Sequence, residues 1–331
     1  MKTKNKKTKK YDIVTLGGGV RDITFFIEQG KILKAKKGKK WIFDLGNKIN
    51  LKKVYFSLGG GACNTAVGFA KLGLTTAAII RIGKDKEGEE IKKDLIKQGV
   101  DISFIQEDEK ISTGFSFICT HSQERKHIAF LYRGANNYLK IKKADLARIE
   151  TDWLYTSSLS GKNWQQILEE IRKFIQEKKV KWAWNPGNKQ LEKGKLLLKY
   201  FKNTEVLILN ENEARFLITT ITGKRPFSFS LNKLSKTIAQ WGAKIIVITQ
   251  GEKGASVYDS LNKKFYQSKS TGHKPLDTTG AGDAFSSGFI AGLIIYQDIK
   301  KALKLGILNS GAVIREIGAQ HGLLKKEKIK L

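Results

Sequence analysis

The sequence predicts an α/β fold: a mostly parallel central sheet with helices on both faces, and a small β-sheet set off from it. Three observations lead there. Short apolar, β-prone runs alternate with stretches at helical spacing from about residue 64 onward. Glycine runs at 17–19, 59–61 and 280–282 punctuate the junctions. Residues 21–58 hold strand-like pieces with no sustained 3.6-residue period. Strands covered on both faces read as unbroken apolar runs, which is what parallel sheets of alternating β and α units produce.

Taken in order, residues 1–10 contain six lysines and no acid, so they read as a solvated, disordered basic tail. Residues 11–16 form a buried strand ending in Gly17-Gly18-Gly19. The pieces 23–27, 41–44 and 54–58 are strands of the β excursion. A helix over 64–72 follows the second glycine run, then a strand over 76–82 and a helix over 87–98 that Gly99 stops. Residues 113–120 and 126–132 read as two paired strands. Strands at 153–156, 180–184, 206–209 and 245–249 alternate with helices near 163–177, 190–201, 211–219 and 231–241. No internal repeat or Pro/Ser-rich linker interrupts the pattern. One domain over 11–323 is therefore expected, with a lid from about 21–58 and 113–133 and a basic C-terminal tail over 324–331.

The chain's 331 residues, 40% of them hydrophobic and including seventeen Phe and six Trp, supply a large core and exclude disorder for the body. The two cysteines, Cys63 and Cys119, are far apart and in no CxxC spacing, which argues against a disulfide framework or zinc ribbon and for a reducing, cytoplasmic setting. The longest apolar stretch, 284–296, is too short to cross a bilayer, so no membrane partner is expected. A net charge of +30 raises the question of nucleic acid. However, Lys far outnumbers Arg and many lysines are scattered, whereas base-reading surfaces favour Arg. Specific nucleic-acid binding is not expected; salt-sensitive adhesion to polyanions is.

Three nucleotide templates fail. No GxxxxGK precedes Ser or Thr, so a Walker A loop is absent. Gly17-x-Gly19-x-x-Asp22 has an acid where the dinucleotide fingerprint needs its third glycine. Protein-kinase motifs are missing. The strongest signal is Asp277-Thr278-Thr279-Gly280-Ala281-Gly282-Asp283. Phe285, Phe289, Ile290 and Leu293 then recur at helical spacing, so a helix starts within Gly-Ala-Gly. Backbone amides freed by the small residues, with the positive end of the helix dipole, make an anion hole. Asp283 in the first turn is placed to accept a hydroxyl proton as a general base. Alone, the same acid also fits a simple first-turn charge. The second signal, Gly59-Gly60-Gly61-Ala62-Cys63-Asn64, lets a polar ligand approach the backbone, with Asn64 able to donate and accept. Alone it equally fits a tight turn with an Asn cap.

Together these two motifs resemble the paired signatures of the ribokinase-like (PfkB) family of carbohydrate and nucleoside kinases, over about residues 11–318. The resemblance implies a three-layer domain with a β-sheet lid. It implies transfer of the γ-phosphoryl group of ATP to a sugar hydroxyl, with Mg2+ as cofactor. By position, Asp22 resembles the carboxylate that binds two substrate hydroxyls, and Gly60, Gly61 and Asn64 the sugar-contacting loop. Asn210 and Glu213 match the NxxE motif tied to magnesium and phosphate. Thr249, Gly251 and Gly254 fall in the strand-end loop bordering ATP, and Asn309 on the helix walling the adenine pocket. Gly280, Ala281 and Gly282 correspond to the anion hole, Asp283 to the catalytic base. Asp277 and Thr279 sit where some members bind a monovalent cation such as K+. The resemblance also implies a homodimer paired through the lid.

The match departs from ribokinases at Gly61-Ala62, where they have Lys-Gly, and in the basic segment 31–40, which has no counterpart. A ribokinase- or fructokinase-like sugar kinase is expected. The alternatives are an adenosine-like nucleoside kinase, with Phe25, Phe26, Phe115 or Phe117 stacking on a base, and an idle, polyanion-binding member.

Overall fold

The computed structural model describes residues 9–35, 39–124, 127–141 and 143–329. The chain begins with β1 (Lys10–Leu16), β2 (Val20–Ile27), β3 (Lys31–Lys34), β4 (Lys39–Ile42) and β5 (Val54–Gly59). Next come α1 (Gly61–Lys71), β6 (Thr76–Ile79), β7 (Arg81–Gly83) and α2 (Lys86–Lys97), then β8 (Gln106–Asp108), β9 (Gly114–His121), β10 (His127–Tyr132) and α3 (Lys143–Ala147). The second half alternates β11 (Glu150–Thr156), α4 (Trp164–Lys178), β12 (Lys181–Trp184), α5 (Asn188–Leu191), α6 (Leu198–Phe201), β13 (Val206–Asn210), α7 (Glu211–Thr222), α8 (Leu231–Ala239) and β14 (Ile245–Thr249). It closes with β15 (Ala255–Asp259), β16 (Lys264–Ser268), α9 (Ala281–Tyr296) and α10 (Ile299–Val313).

Eight strands form the body sheet, in the order β16-β15-β14-β13-β12-β11-β1-β6. Pairing is parallel from β14 to β6 and antiparallel for β15 and β16. Alternating strand residues feed two separate cores, as a period of two requires. Leu207 and Leu209 pack with Trp182 and Trp184 under α4, α7 and α8. Val206 and Ile208 face the other way, onto Phe285, Phe289 and Leu305 of α9 and α10. The Trp182 and Trp184 rings stack at 5.0 Å. The buried Trp182 indole donates to Thr156 Oγ1 at 2.9 Å, so its burial leaves no orphaned donor.

The second sheet, β10-β9-β2-β5, stands over the carboxyl end of β1. Register fixes its two faces. Asp22 lies opposite Ser57 and Ser116, and this row is buried toward the body. Ile23 lies opposite Phe56 and Phe117, and this row faces outward. The basic segment 31–40 forms most of a third, two-stranded sheet of β3 and β4; residues 36–38 lie outside the described residues. Trp41 ties it down, donating its indole to the Gln29 carbonyl at 2.9 Å and packing on His121.

Several expectations need correction. Lys10 opens β1 and Lys9 pairs with Asp101 at 2.7 Å, so these two residues belong to the folded body rather than a tail. Residues 1–8 lie outside the described residues. The expected C-terminal tail packs too: Leu324 and Ile329 join the α9/α10 core, and the Leu324 amide donates to Asn309. The single strand expected over 76–82 divides into β6 and β7, which join different sheets. The helix expected over 190–201 breaks into α5, a 3-10 turn over Gly194–Leu197 and α6.

Candidate active site

Three loops meet where β1 ends. Gly17–Gly19 leaves the body for β2, Gly59–Gly61 returns from β5 to α1, and the 277–283 segment enters α9. The middle loop spans two acids. A methyl on Gly59 would lie 2.0 Å from Asp22 Oδ2, and one on Gly61 would lie 3.5 Å from Asp283 Oδ1. Only glycine at 59 leaves the Asp22 carboxyl room. The turn out of the body is locked by Asn136, whose side chain both accepts from the Gly19 amide at 2.9 Å and donates to its carbonyl at 2.8 Å. Beneath it Cys63 is fully buried against Gly19, and burial pushes its thiol up.

Asp22 is 5% exposed. Burial raises its carboxyl from 3.8 to about 6; a hydrogen bond from Ser116 opposes the rise, and the charges of Asp283 and Asp277 add to it. Burial also raises Asp283, and a 2.8 Å hydrogen bond from Asn64 Nδ2 to Asp283 Oδ2 pulls it back. Burial thus makes both acids reluctant to ionise, while the Asn64 amide favours ionisation of Asp283 alone.

Gly280 caps α9 at φ 74, and a methyl there would lie 2.4 Å from Ala319 Cβ. No side chain caps this end. The Ala281 amide is turned onto the Thr278 carbonyl at 3.2 Å. Those of Gly280, Gly282 and Asp283 have no acceptor among the described residues. The amides left open at this helix start are thus those of Gly280, Gly282 and Asp283, and not that of Ala281 in the run 280–282. Asp277 is buried and accepts from the Thr279 amide and hydroxyl, at 2.9 and 2.7 Å, and from the Gly318 amide at 2.9 Å.

A cavity of 640 Å³ opens beside the start of α9. It brings together Thr249, Gly251 and Gly254 with Ala281 and Gly282. His273 and Lys274, to which sequence reasoning assigned nothing, line it as well. Asn309 does not. It is fully buried, donating to the Ala284 carbonyl at 2.8 Å and accepting from Leu324, while Ile307, Ser310 and Gly311 of α10 face the cavity. Asn210 and Glu213 form a reciprocal cap at the start of α7, each amide donating to the other's side chain at 2.9 Å. Gln320 was missed: its Nε2 donates to Asn64 Oδ1 at 2.9 Å. In sequence it is an unremarkable amide next to Gly318-Ala319.

A half-buried acid at an open helix N-terminus, between a buried acid and a nucleotide-sized cavity, defines an enzyme that moves an anionic group onto a hydroxyl. Comparison with known proteins agrees. The model of the pfkB family carbohydrate kinases matches residues 37–326, and the chain belongs to that family. It is a phosphotransferase with a sugar hydroxyl, free or within a nucleoside, as acceptor. A ribokinase of Haemophilus influenzae is 25% identical over 286 residues, covering 86% of this chain and 89% of its own. The structure of Arabidopsis thaliana ribokinase complexed with ribose and ATP superposes with a TM-score of 0.78 at 18% identity, over 96% of this chain and 97% of that one. The nucleoside kinase of Methanocaldococcus jannaschii gives 0.75 at 20% identity, over 96% of each chain.

Proposed function

We propose that the protein transfers the γ-phosphoryl group of ATP to a hydroxyl of a small sugar, in the manner of a ribokinase or fructokinase. The observation that carries the reading is Asp283, half-buried at the open start of α9 and held by Asn64. The acceptor's hydroxyls bind Asp22 and Asn64, with Gly60 and Gly61 letting the ring approach. The reacting hydroxyl gives its proton to Asp283 as its oxygen bonds to the γ-phosphorus. The bond from that phosphorus to the bridging oxygen breaks, and ADP leaves with the electron pair. The Gly280, Gly282 and Asp283 amides steady the charge spread over the phosphoryl oxygens. ATP takes the cavity between the Thr249–Gly254 loop and α10.

Mg2+ bound to the ATP phosphates would neutralise charge, and Glu213, whose second carboxylate oxygen is not used in the cap, would help hold it. Asp277 fits a monovalent cation such as K+, because its buried carboxylate has only neutral donors for partners. The small sheet serves as a lid over the acceptor and keeps water from the phosphoryl group. Its outward row, with Phe56 59% and Phe130 60% exposed, is the face a second copy of the chain would cover in a homodimer. A cytoplasmic location goes with ATP as donor.

The register weighs against a nucleoside acceptor. Phe25, Phe115 and Phe117 share the outward rows with Arg21 and Ile23, so they cannot stack on a base held by Asp22. Of the four aromatics considered, only Phe26 shares Asp22's face, and it packs edge-on against Tyr55.

ADP release with Mg-ATP across pentoses, hexoses and nucleosides tests the reading. Turnover with one sugar is expected, falling by ~10²–10⁴ in Asp283→Asn as loss of a general base requires. Near-normal turnover in that variant would exclude Asp283 as the base.

A further inference from the structure

Three consecutive residues beyond α10 each touch a different part of the site. The Gly318 amide donates to Asp277, Ala319 packs on Gly280, and Gln320 donates to Asn64. Gln320 is 9% exposed, and its backbone is held as well: Lys71 Nζ, in the last turn of α1, donates to its carbonyl at 3.0 Å. Asn64 and Lys71 lie two turns apart on one helix, so Gln320 is gripped at both ends.

We infer that Gln320 is a positioning residue that fixes which way the Asn64 amide faces, with its NH2 on Asp283 and its oxygen turned away. An ionised carboxylate can only accept hydrogen bonds. Asn64 must therefore present its nitrogen to Asp283 Oδ2, which leaves its oxygen toward position 320 and requires a donor there. The Gln320 Nε2 supplies it. Without that donor the Asn64 oxygen is left unpaired in a buried site. Rotation of the amide would then set oxygen against oxygen at Asp283. The chain Gln320–Asn64–Asp283 also leaves Asp283 Oδ1, beside Gly61, free for the acceptor's hydroxyl. Among the described residues, Asp22 from β2, Cys63 from α1 and Tyr155 from β11 feel the Asp283 charge, and Gln320 bonds none of them.

This inference rests on Asp283 being the base, and its test separates the two. Infrared difference spectra across pH follow the buried carboxyl bands, and Asp283→Asn identifies the band of that residue. In Gln320→Leu the protonation midpoint of the Asp283 band should rise by about one pH unit, the size of a lost charge-assisted hydrogen bond. Gln320→Glu keeps the shape but offers an ionised acceptor to the Asn64 oxygen, so a larger rise is expected. On the acceptor found by the panel, the acid limb of kcat should move upward by the same amount, with the KM for ATP unchanged. A structural role alone would lower the melting temperature and leave both the midpoint and the limb in place. An unmoved midpoint in either folded variant overturns the inference. If Asp283→Asn is inactive and the midpoint is unmoved, only the role of Gln320 falls. If Asp283→Asn stays active, the base assignment falls, and the infrared shift still decides the contact.

Discussion

Burial lifts the Asp22 carboxyl from 3.8 to about 6, so the folded chain holds this proton more tightly than the unfolded one does. Its contribution to stability is most favourable below 3.8, declines as pH rises toward 6, and stays at its lowest above that. The loss is on the order of 3 kcal/mol. Asp22→Asn is therefore expected to raise the melting temperature at pH 8 and to leave it nearly unchanged near pH 4. With Asp22 in the proposed binding role, the same variant should raise the acceptor KM. In the parent protein kcat/KM for the acceptor should fall below about pH 6, as Asp22 becomes protonated. A flat acid profile down to pH 5, or a variant no more stable at pH 8, would separate Asp22 from the binding role.

Among the elements, the start of α9 and the turn into β2 tolerate little change. Gly280 holds φ 74 with Ala319 against it, so Gly280→Ala meets left-handed backbone strain of about 1–2 kcal/mol and a steric clash together. A lower melting temperature with a loss of kcat is expected. Asn136→Ala frees Gly19 at both its amide and its carbonyl, and should raise the acceptor KM more than it lowers kcat. A kcat effect alone would contradict a positioning role for that turn. The glycine runs made these places readable in advance, because the chemistry needs small residues in consecutive order. The helix of α9 and the inner strands were readable for the same local reason, an apolar period. β15 and β16 were not. The first reads ASVYD and is buried throughout, with Ser256 and Asp259 in the core, so its hydrophobic pattern carries no strand signal. Gln320 and Asn136 escaped because an amide in a short turn looks the same in sequence whether it is solvated or buried against a partner 117 or more residues away. Asn309 failed in the opposite sense. Its position on the late helix was right, but its side chain is spent joining α9 to Leu324.

At the scale of the whole molecule, charge and an exposed apolar face act together. A net charge of +30 makes adhesion to polyanions at low salt a property of the surface rather than of the site. Retention on an anionic resin should collapse as ionic strength rises and the screening length falls to about 10 Å at 0.1 M. ADP release should be indifferent to the same change. The outward rows of the small sheet expose Val54, Phe56, Phe117, Ile128 and Phe130 together. If a second copy covers them, light scattering should report a dimer that Phe130→Lys dissociates, leaving the fold intact. A monomer at all concentrations would assign that face elsewhere. Among the described residues no helix is long and apolar enough to cross a membrane.

Cys63 lies under Gly19, at the point where the chain climbs from the body into the small sheet. With its side chain fully enclosed, no reagent can reach the sulfur while that junction is shut. In a Cys119→Ser background, the pace at which a thiol probe marks Cys63 becomes a clock for the opening of the mouth. Slower marking when ATP and a sugar are both present would time closure without any added label.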